Sequence, residues 1–188
     1  LIAAGVGDIF LVVGYRKEQF SYLASDPHIH IIENPDYFRY NNTSSLYRVL
    51  DVLDNTYICS ADHYFTENVF EPYVYRSYYA SIYGEEPTGE YYLSADADNR
   101  ITDVQIGGQR GWYMMGQVYF SRGFSERFRP LLKSAYETDE AVRGLLWEQF
   151  YMRHIDDLAL YRRCYADNVI YEFDTLADIQ AFDPNFTP

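Results

Sequence analysis

"LIAAGVGDIFLVVGY" (residues 1–15) is the stretch on which the fold turns, because its glycines invite two incompatible assignments. Ala3-Ala4-Gly5-Val6-Gly7 resembles a glycine-bearing phosphate loop. Residues 9–14, "IFLVVG", are a β-branched and apolar run ending in Gly, which reads as a buried parallel strand. A working phosphate loop needs a strand before it, a helix after it and usually a basic residue within it. Here a strand follows instead. Asp8 also places a negative charge beside the glycines, the wrong sign for a triphosphate. The segment reads as a turn that feeds a strand.

Working outward, "RKEQFSYLAS" (16–25) spaces Phe20 and Leu23 as a helix would, and "HIHIIENP" (28–35) is strand-like until Asn34-Pro35 stops it. "SSLYRVLDVLDN" (44–55) lines Leu46, Val49, Leu50 and Leu53 along one helical face, with Ser44 or Ser45 as the N-cap. "TYICSAD" (56–62) is a further apolar strand ending at Asp62. This alternation predicts an α/β fold, Rossmann-like, with a mostly parallel sheet flanked by helices. After residue 75 the pattern changes. "YRSYYASIYG" (75–84), "GEYYLSADADNRITDVQIGG" (89–108) and "GWYMMGQVYFS" (111–121) predict added antiparallel strands, so the sheet should be mixed. "ERFRPLLKSAYE" (126–137) and "EAVRGLLWEQFYMRHI" (140–155) read as helices, with Pro130 tolerable in a first turn. "LALYRRCY" and "NVIYEFD" return to strand, and "TLADIQAF" closes the chain as a helix capped by Thr175. No linker or repeat divides residues 1–188, which predicts a single domain.

Charge narrows the function. The net charge is −13, with only two Lys, Lys17 and Lys133, among 15 basic residues. Such a chain repels a polyphosphate backbone, which argues against nucleic acid as a partner. A small anionic ligand would need a local Arg or a metal ion. No apolar run approaches the roughly 20 residues of a membrane span, and nothing marks a signal peptide, so a cytoplasmic location is expected. Cys59 and Cys164 lack the spacing of a disulfide scaffold, and Cys59 reads as a buried strand residue. His28, His30, His63 and His154 show no zinc-ligand spacing, which argues against a zinc site.

In an open α/β sheet, ligands bind beyond the carboxyl ends of strands. Asp62 and Asp174 each end an apolar strand there, and two such carboxylates suit Mg²⁺. The alternative is that each caps the next helix or turn. "YFRYNNTSSLYR" (37–48) offers amides for a base edge and backbone N–H groups for an anion, or else forms an ordinary loop and N-cap.

Four ordered motifs then bring a family into view: Tyr40-Asn41-Asn42 before Ser45-Leu46-Tyr47, Ala61-Asp62, Trp147-Glu148, and Tyr171-Glu172-Phe173-Asp174. With them the chain resembles, over essentially its whole length, the bacterial phosphocholine cytidylyltransferases of the sugar-phosphate nucleotidyltransferase superfamily. The resemblance implies the nucleotidyltransferase fold and transfer of CMP from CTP to phosphocholine, giving CDP-choline and pyrophosphate. It implies that Asp62 and Asp174 hold Mg²⁺ against the triphosphate and that Asn42 and Ser45 lie near the cytidine. It also implies that Tyr91, Trp147, Glu148 and Glu172 hold the quaternary ammonium, which has no N–H to donate and must rely on aromatic faces and carboxylates. Taken alone, Trp147 reads as core and Glu148 as the solvent face of its helix.

Two positions depart from the family. Tyr91 stands where the best-known members have Trp, and Leu146 where an aromatic is usual. This keeps phosphoethanolamine or a sugar phosphate open as acceptor. Family members also begin with a strand, a Gly-rich loop bearing Arg and a Pro-Lys pair. The chain shows none of these, so it is expected to be inactive alone, or else to be a non-catalytic relic that binds choline or a similar ligand. In the family register, Gly5 or Gly7 ends a helix one unit after the true phosphate loop.

Overall fold

In the computed structural model, which describes residues 1–187, a 3-10 turn over Ile2–Ala4 is closed by Gly5 at φ 82°. That left-handed conformation favours glycine. The run after it is a strand, β1 (Ile9–Val13). Gly5 is thus the helix end that the family register implies, and the glycines form no phosphate loop.

The chain forms two compact units. The first comprises residues 1–56, 70–75 and 121–158. In it β1 pairs in parallel with β2 (Ile29–Glu33), from Ile9 opposite Ile29 to Val13 opposite Glu33. The connection between them, Lys17–Ser25, is a 3-10 helix with no buried residue. Without a buried apolar face, little favours a regular α-helix there. Helix α1 (Asn42–Arg48) continues into a 3-10 turn over Leu50–Val52. Leu46, Val49, Leu50 and Leu53 are all buried, as their spacing requires. The cap is Asn41 rather than Ser44 or Ser45, because the two serine hydroxyls accept from Asn34 Nδ2 at 2.8 and 3.2 Å.

Helix α2 (Arg122–Thr138), capped by Ser121, buries Phe124, Phe128, Leu132 and Tyr136. Pro130 lies inside this helix and not in its first turn. The next predicted helix is broken at Gly144 into α3 (Glu140–Arg143) and α4 (Trp147–Met152). Phe128 is fully buried, stacks on Phe124 at 5.8 Å and meets Phe150 and Trp147 edge-on at 5.8 and 6.4 Å. Truncating such a ring to alanine costs about 3–5 kcal/mol.

The second unit comprises residues 57–69, 76–120 and 159 onward. Its strands are β3 (Thr56–Ile58), β4 (His63–Phe65), β5 (Tyr78–Gly84), β6 (Thr88–Ala95), β7 (Ile101–Gly108), β8 (Gly111–Phe120), β9 (Tyr161–Cys164) and β10 (Ile170–Glu172), followed by α5 (Leu176–Phe182). The main sheet runs β7-β6-β8-β5-β9, with β3 on β8, and β4 pairs separately with β10.

This sheet corrects the expectation of mostly parallel strands. The pairs β6–β7, β6–β8, β5–β8 and β4–β10 are antiparallel, and β5–β9 is parallel. The turns explain it. Asn99 at φ 65° closes the β6–β7 connection. A connection this short joins neighbouring strands only by reversing the chain, whereas a parallel neighbour needs a crossover of a dozen residues or more. An α/β fold with a mixed sheet and flanking helices stands. Cys59 lies just past β3 and is exposed, not buried in the strand. Among the described residues, no helix is long and apolar enough to cross a membrane.

Candidate active site

In the second unit, the β4–β10 ladder sets Glu172 opposite His63, Tyr171 opposite Tyr64 and Ile170 opposite Phe65. The Phe173 N–H donates to Asp62 O at 3.0 Å, which extends the pairing by one step. Directly opposed residues share a face of a sheet, so His63 and Glu172 project together. His63 Nε2 lies 3.6 Å from Glu172 Oε1 and 3.9 Å from Asp62 Oδ1. The other face is aromatic. Tyr64, Tyr171 and Phe173 pack there with Phe182 of α5, at ring separations of 5.9 Å for Tyr64–Phe173 and 4.7 Å for Tyr171–Phe182. Tyr171, Glu172, Phe173, Asp178, Ala181 and Phe182 line a cleft of about 460 Å³. Thr175 caps α5 and exchanges hydrogen bonds with Asp178, as its sequence position predicted.

The electrostatics of this locus are acidic. Asp174 has its carboxyl pushed above the ordinary aspartate range, first by Glu172, then by desolvation and by Asp62 and Asp178. Glu90 of β6 is raised by burial and then by Glu172 and Asp174. Crowded carboxylates of this kind resist ionising together unless a cation is near. The donor set fits a divalent ion on a second ground. The His63 side chain is completely buried, yet neither ring nitrogen has a hydrogen-bond partner. One ligand atom each from Asp62, His63 and Glu172 lies within 4.8 Å of the others. Tyr91 follows Glu90 on β6, opposite Ile106 of β7, and is half-buried.

In the first unit the sequence-predicted residues also gather. Asn42 Oδ1 accepts the Trp147 N–H at 2.7 Å, and its Nδ2 donates to Glu148 Oε2 at 3.5 Å. Thr43 Oγ1 donates to Leu145 O at 2.6 Å. Ser45 is fixed by Asn34, itself only 2% exposed. The Trp147 ring is core, 3% exposed, while Glu148 is half-buried.

No family model matches the chain. It is 32% identical over 179 residues to choline-phosphate cytidylyltransferase of Streptococcus pneumoniae, covering 95% of this chain and 78% of that protein. It is 34% identical over 190 residues to 2-aminoethylphosphonate cytidylyltransferase of Lancefieldella rimae, covering 99% and 77%. A solved structure of the CTP:phosphocholine cytidylyltransferase from S. pneumoniae matches with a TM-score of 0.92, over 98% of this chain and 80% of that one. The chain belongs to the bacterial cytidylyltransferases.

Membership in these nucleotidyltransferases gives the acidic ladder its context, and sequence reasoning found only part of that ladder. It singled out Asp62, Glu172 and Asp174 but missed His63 and Glu90. The histidines show no zinc-ligand spacing among themselves, and Glu172 comes opposite His63 only through strand pairing. The available signal is "YEFD" (171–174), in which aromatic and acidic residues alternate and so face opposite sides of the strand.

Proposed function

We propose that the chain transfers a cytidylyl group from CTP to the phosphate of phosphocholine, releasing pyrophosphate. The observation that carries this reading is the carboxylate cluster of Asp62, Glu172 and Asp174 at the β4–β10 ladder, in a chain of this family. An acceptor phosphate oxygen forms the new bond to the α-phosphorus while the bond to pyrophosphate breaks. The acceptor is already anionic, so no general base is needed. The residues must hold the two phosphates in line and offset charge at the leaving group.

In this reading Asp62 and Asp174 hold Mg²⁺, which when bound neutralises charge on the triphosphate. Glu172, with Tyr91 as an aromatic face, attracts the cationic end of the acceptor. Asn42 and Ser45 serve the cytidine. The Asn42–Glu148 bond is at the limit of hydrogen-bond length, so the amide exchanges it for a base edge at small cost. Trp147 supports Asn42 and Glu148 from the core.

A second acceptor is favoured by a specific observation: a relative that is 34% identical is a 2-aminoethylphosphonate cytidylyltransferase. A primary ammonium donates hydrogen bonds to carboxylates, which a quaternary ammonium cannot do, so Glu172 and Glu90 would serve it directly. Incubating the full-length protein with CTP, Mg²⁺ and phosphocholine, 2-aminoethylphosphonate, phosphoethanolamine or a sugar phosphate, with product identification by phosphorus NMR, decides among them. CDP-choline as the main product supports the reading. Failure to bind CTP at all would leave the non-catalytic alternative.

A further inference from the structure

His63 has the geometry of a ligand rather than of a core histidine. A buried imidazole ordinarily satisfies at least one ring nitrogen, whereas this ring is fully buried with both nitrogens unpartnered. Its Nε2 lies near two carboxylate oxygens, at 3.6 Å (Glu172) and 3.9 Å (Asp62). Those separations are too long for hydrogen bonds. Ligand atoms held at 2.0–2.2 Å from one ion lie about 3.0–3.5 Å from each other, so the two separations from Nε2 are within a few tenths of an ångström of that range, and all three ligand atoms lie within 4.8 Å of one another.

The ring is also held in place. Gly116 on β8 has φ 64°, and a Cβ there would overlap the His63 imidazole. The β5–β8 pairing is irregular at this point, with Met115, Gly116 and Gln117 looped between the pairs Ser81–Met114 and Tyr79–Val118. The bulge opens the space that the imidazole fills. Phe65 meets the ring edge-on at 6.2 Å.

We propose that His63, with Asp62 and Glu172, forms a mixed nitrogen and oxygen site that binds a divalent transition ion such as Mn²⁺, Co²⁺ or Zn²⁺ more tightly than Mg²⁺. This rests on the proposed function and deepens its metal part: it shares Asp62 with it, and in the nucleotide-free protein it takes Glu172 as a metal ligand in place of that residue's part toward the acceptor's cationic end. Carboxylates alone suit Mg²⁺, and an imidazole ligand moves preference toward the borderline transition ions.

The test uses the metal alone, without nucleotide. Calorimetric titration of the protein with Co²⁺ and with Mg²⁺ should show tighter Co²⁺ binding. His63→Gln should weaken Co²⁺ binding by at least about tenfold, the scale of losing a coordination partner, while changing Mg²⁺ affinity much less. Circular dichroism checks that the variant is folded. A second readout needs no variant: electron spin echo modulation of the Mn²⁺-loaded wild-type protein should show coupling to a nitrogen nucleus. Mn²⁺ binding without nitrogen coupling overturns the proposal and leaves the carboxylate Mg²⁺ reading standing. No ion binding without CTP also overturns it, because this site is preformed, while a Mg²⁺ held jointly with triphosphate would survive and be seen in turnover.

Discussion

Asn42 Oδ1 accepts the Trp147 backbone N–H at 2.7 Å, so a side chain from α1 caps the start of α4. Leu146, at the N-cap position, has no side-chain acceptor to offer, and Gln149 takes the Leu146 N–H at 3.1 Å. Asn42→Ala should therefore destabilise the protein by about 1 kcal/mol, the usual cost of a lost cap. Asn42→Asp should recover part of that, because it keeps the acceptor. Urea denaturation of the three proteins checks the order.

Asp174 gives opposite expectations for stability and activity. Its carboxyl is raised by Glu172 first, so the folded protein holds this proton more firmly than the unfolded chain does. At neutral pH its charge therefore opposes folding. Asp174→Asn should raise the melting temperature of the metal-free protein at pH 7. The gain should fade as the pH falls below the ordinary aspartate range, where both states are protonated. In assays of the full-length protein, Asp174→Asn and Asp62→Ala should each lower turnover by about a thousandfold, the scale seen when a charge-stabilising group is removed. Near-normal turnover would dismiss the metal role.

Gly116→Ala should be costly for two reasons, the left-handed φ and the overlap with His63. A loss of about 2 kcal/mol or more is expected. Gly7→Ala, with open space around its α-carbon and no positive φ, should stay within about 0.5 kcal/mol of wild type as a surface control. Equal stability of the two variants would show that the bulge tolerates a side chain.

Arg122 grips Asp54 with two parallel bonds, Nε to Oδ1 at 2.8 Å and Nη2 to Oδ2 at 2.9 Å. The Arg122 hydrogen bond holds the Asp54 carboxyl below its ordinary range. Because the folded value is depressed, the stabilisation is present above the unfolded aspartate pKa and is lost as the pH falls through the folded one. The difference in melting temperature between wild type and Asp54→Asn should therefore be largest near neutrality and shrink on acidification. High salt should reduce it as well, since the pair is exposed.

The parts of the fold governed by local periodicity were legible. Leu46, Val49, Leu50 and Leu53 went to the core as their spacing required, and Thr175 capped the last helix. The antiparallel strands after residue 75 and the mixed sheet were legible as well, but the parallel share was overestimated, because apolar runs look the same in parallel and antiparallel pairs and only the turns distinguish them. Pro130 inside α2 shows tertiary packing overriding propensity, since Phe128 and Leu132 on either side are fully buried. The acidic cluster was half legible. Asp62 and Asp174 stood out as acids after apolar runs, although β3 ends at Ile58 and Asp62 sits in the turn just before β4 rather than at a strand's carboxyl end, and nothing in one dimension announces that residue 63 faces residue 172. Cap choice was misplaced because Asn34, remote from the helix, claims the hydroxyls of Ser44 and Ser45.

The β4–β10 ladder has two sides with unlike duties. Every second residue, Tyr64 and Tyr171 with Phe173 beyond, belongs to an oily seam closed by α5, while His63 and Glu172 between them face the acids. Three residues per strand make a weak ladder by hydrogen bonding alone, so the seam supplies the grip and leaves the partly exposed Glu172 on the opposite side free to vary. Descendants of such a ladder can exchange Glu172, and with it the cation or head group it attracts, without loosening the two strands, whereas the buried His63 is bound to the bulge it fills. Change of chemistry and loss of fold are thereby uncoupled at neighbouring positions of the same short strand.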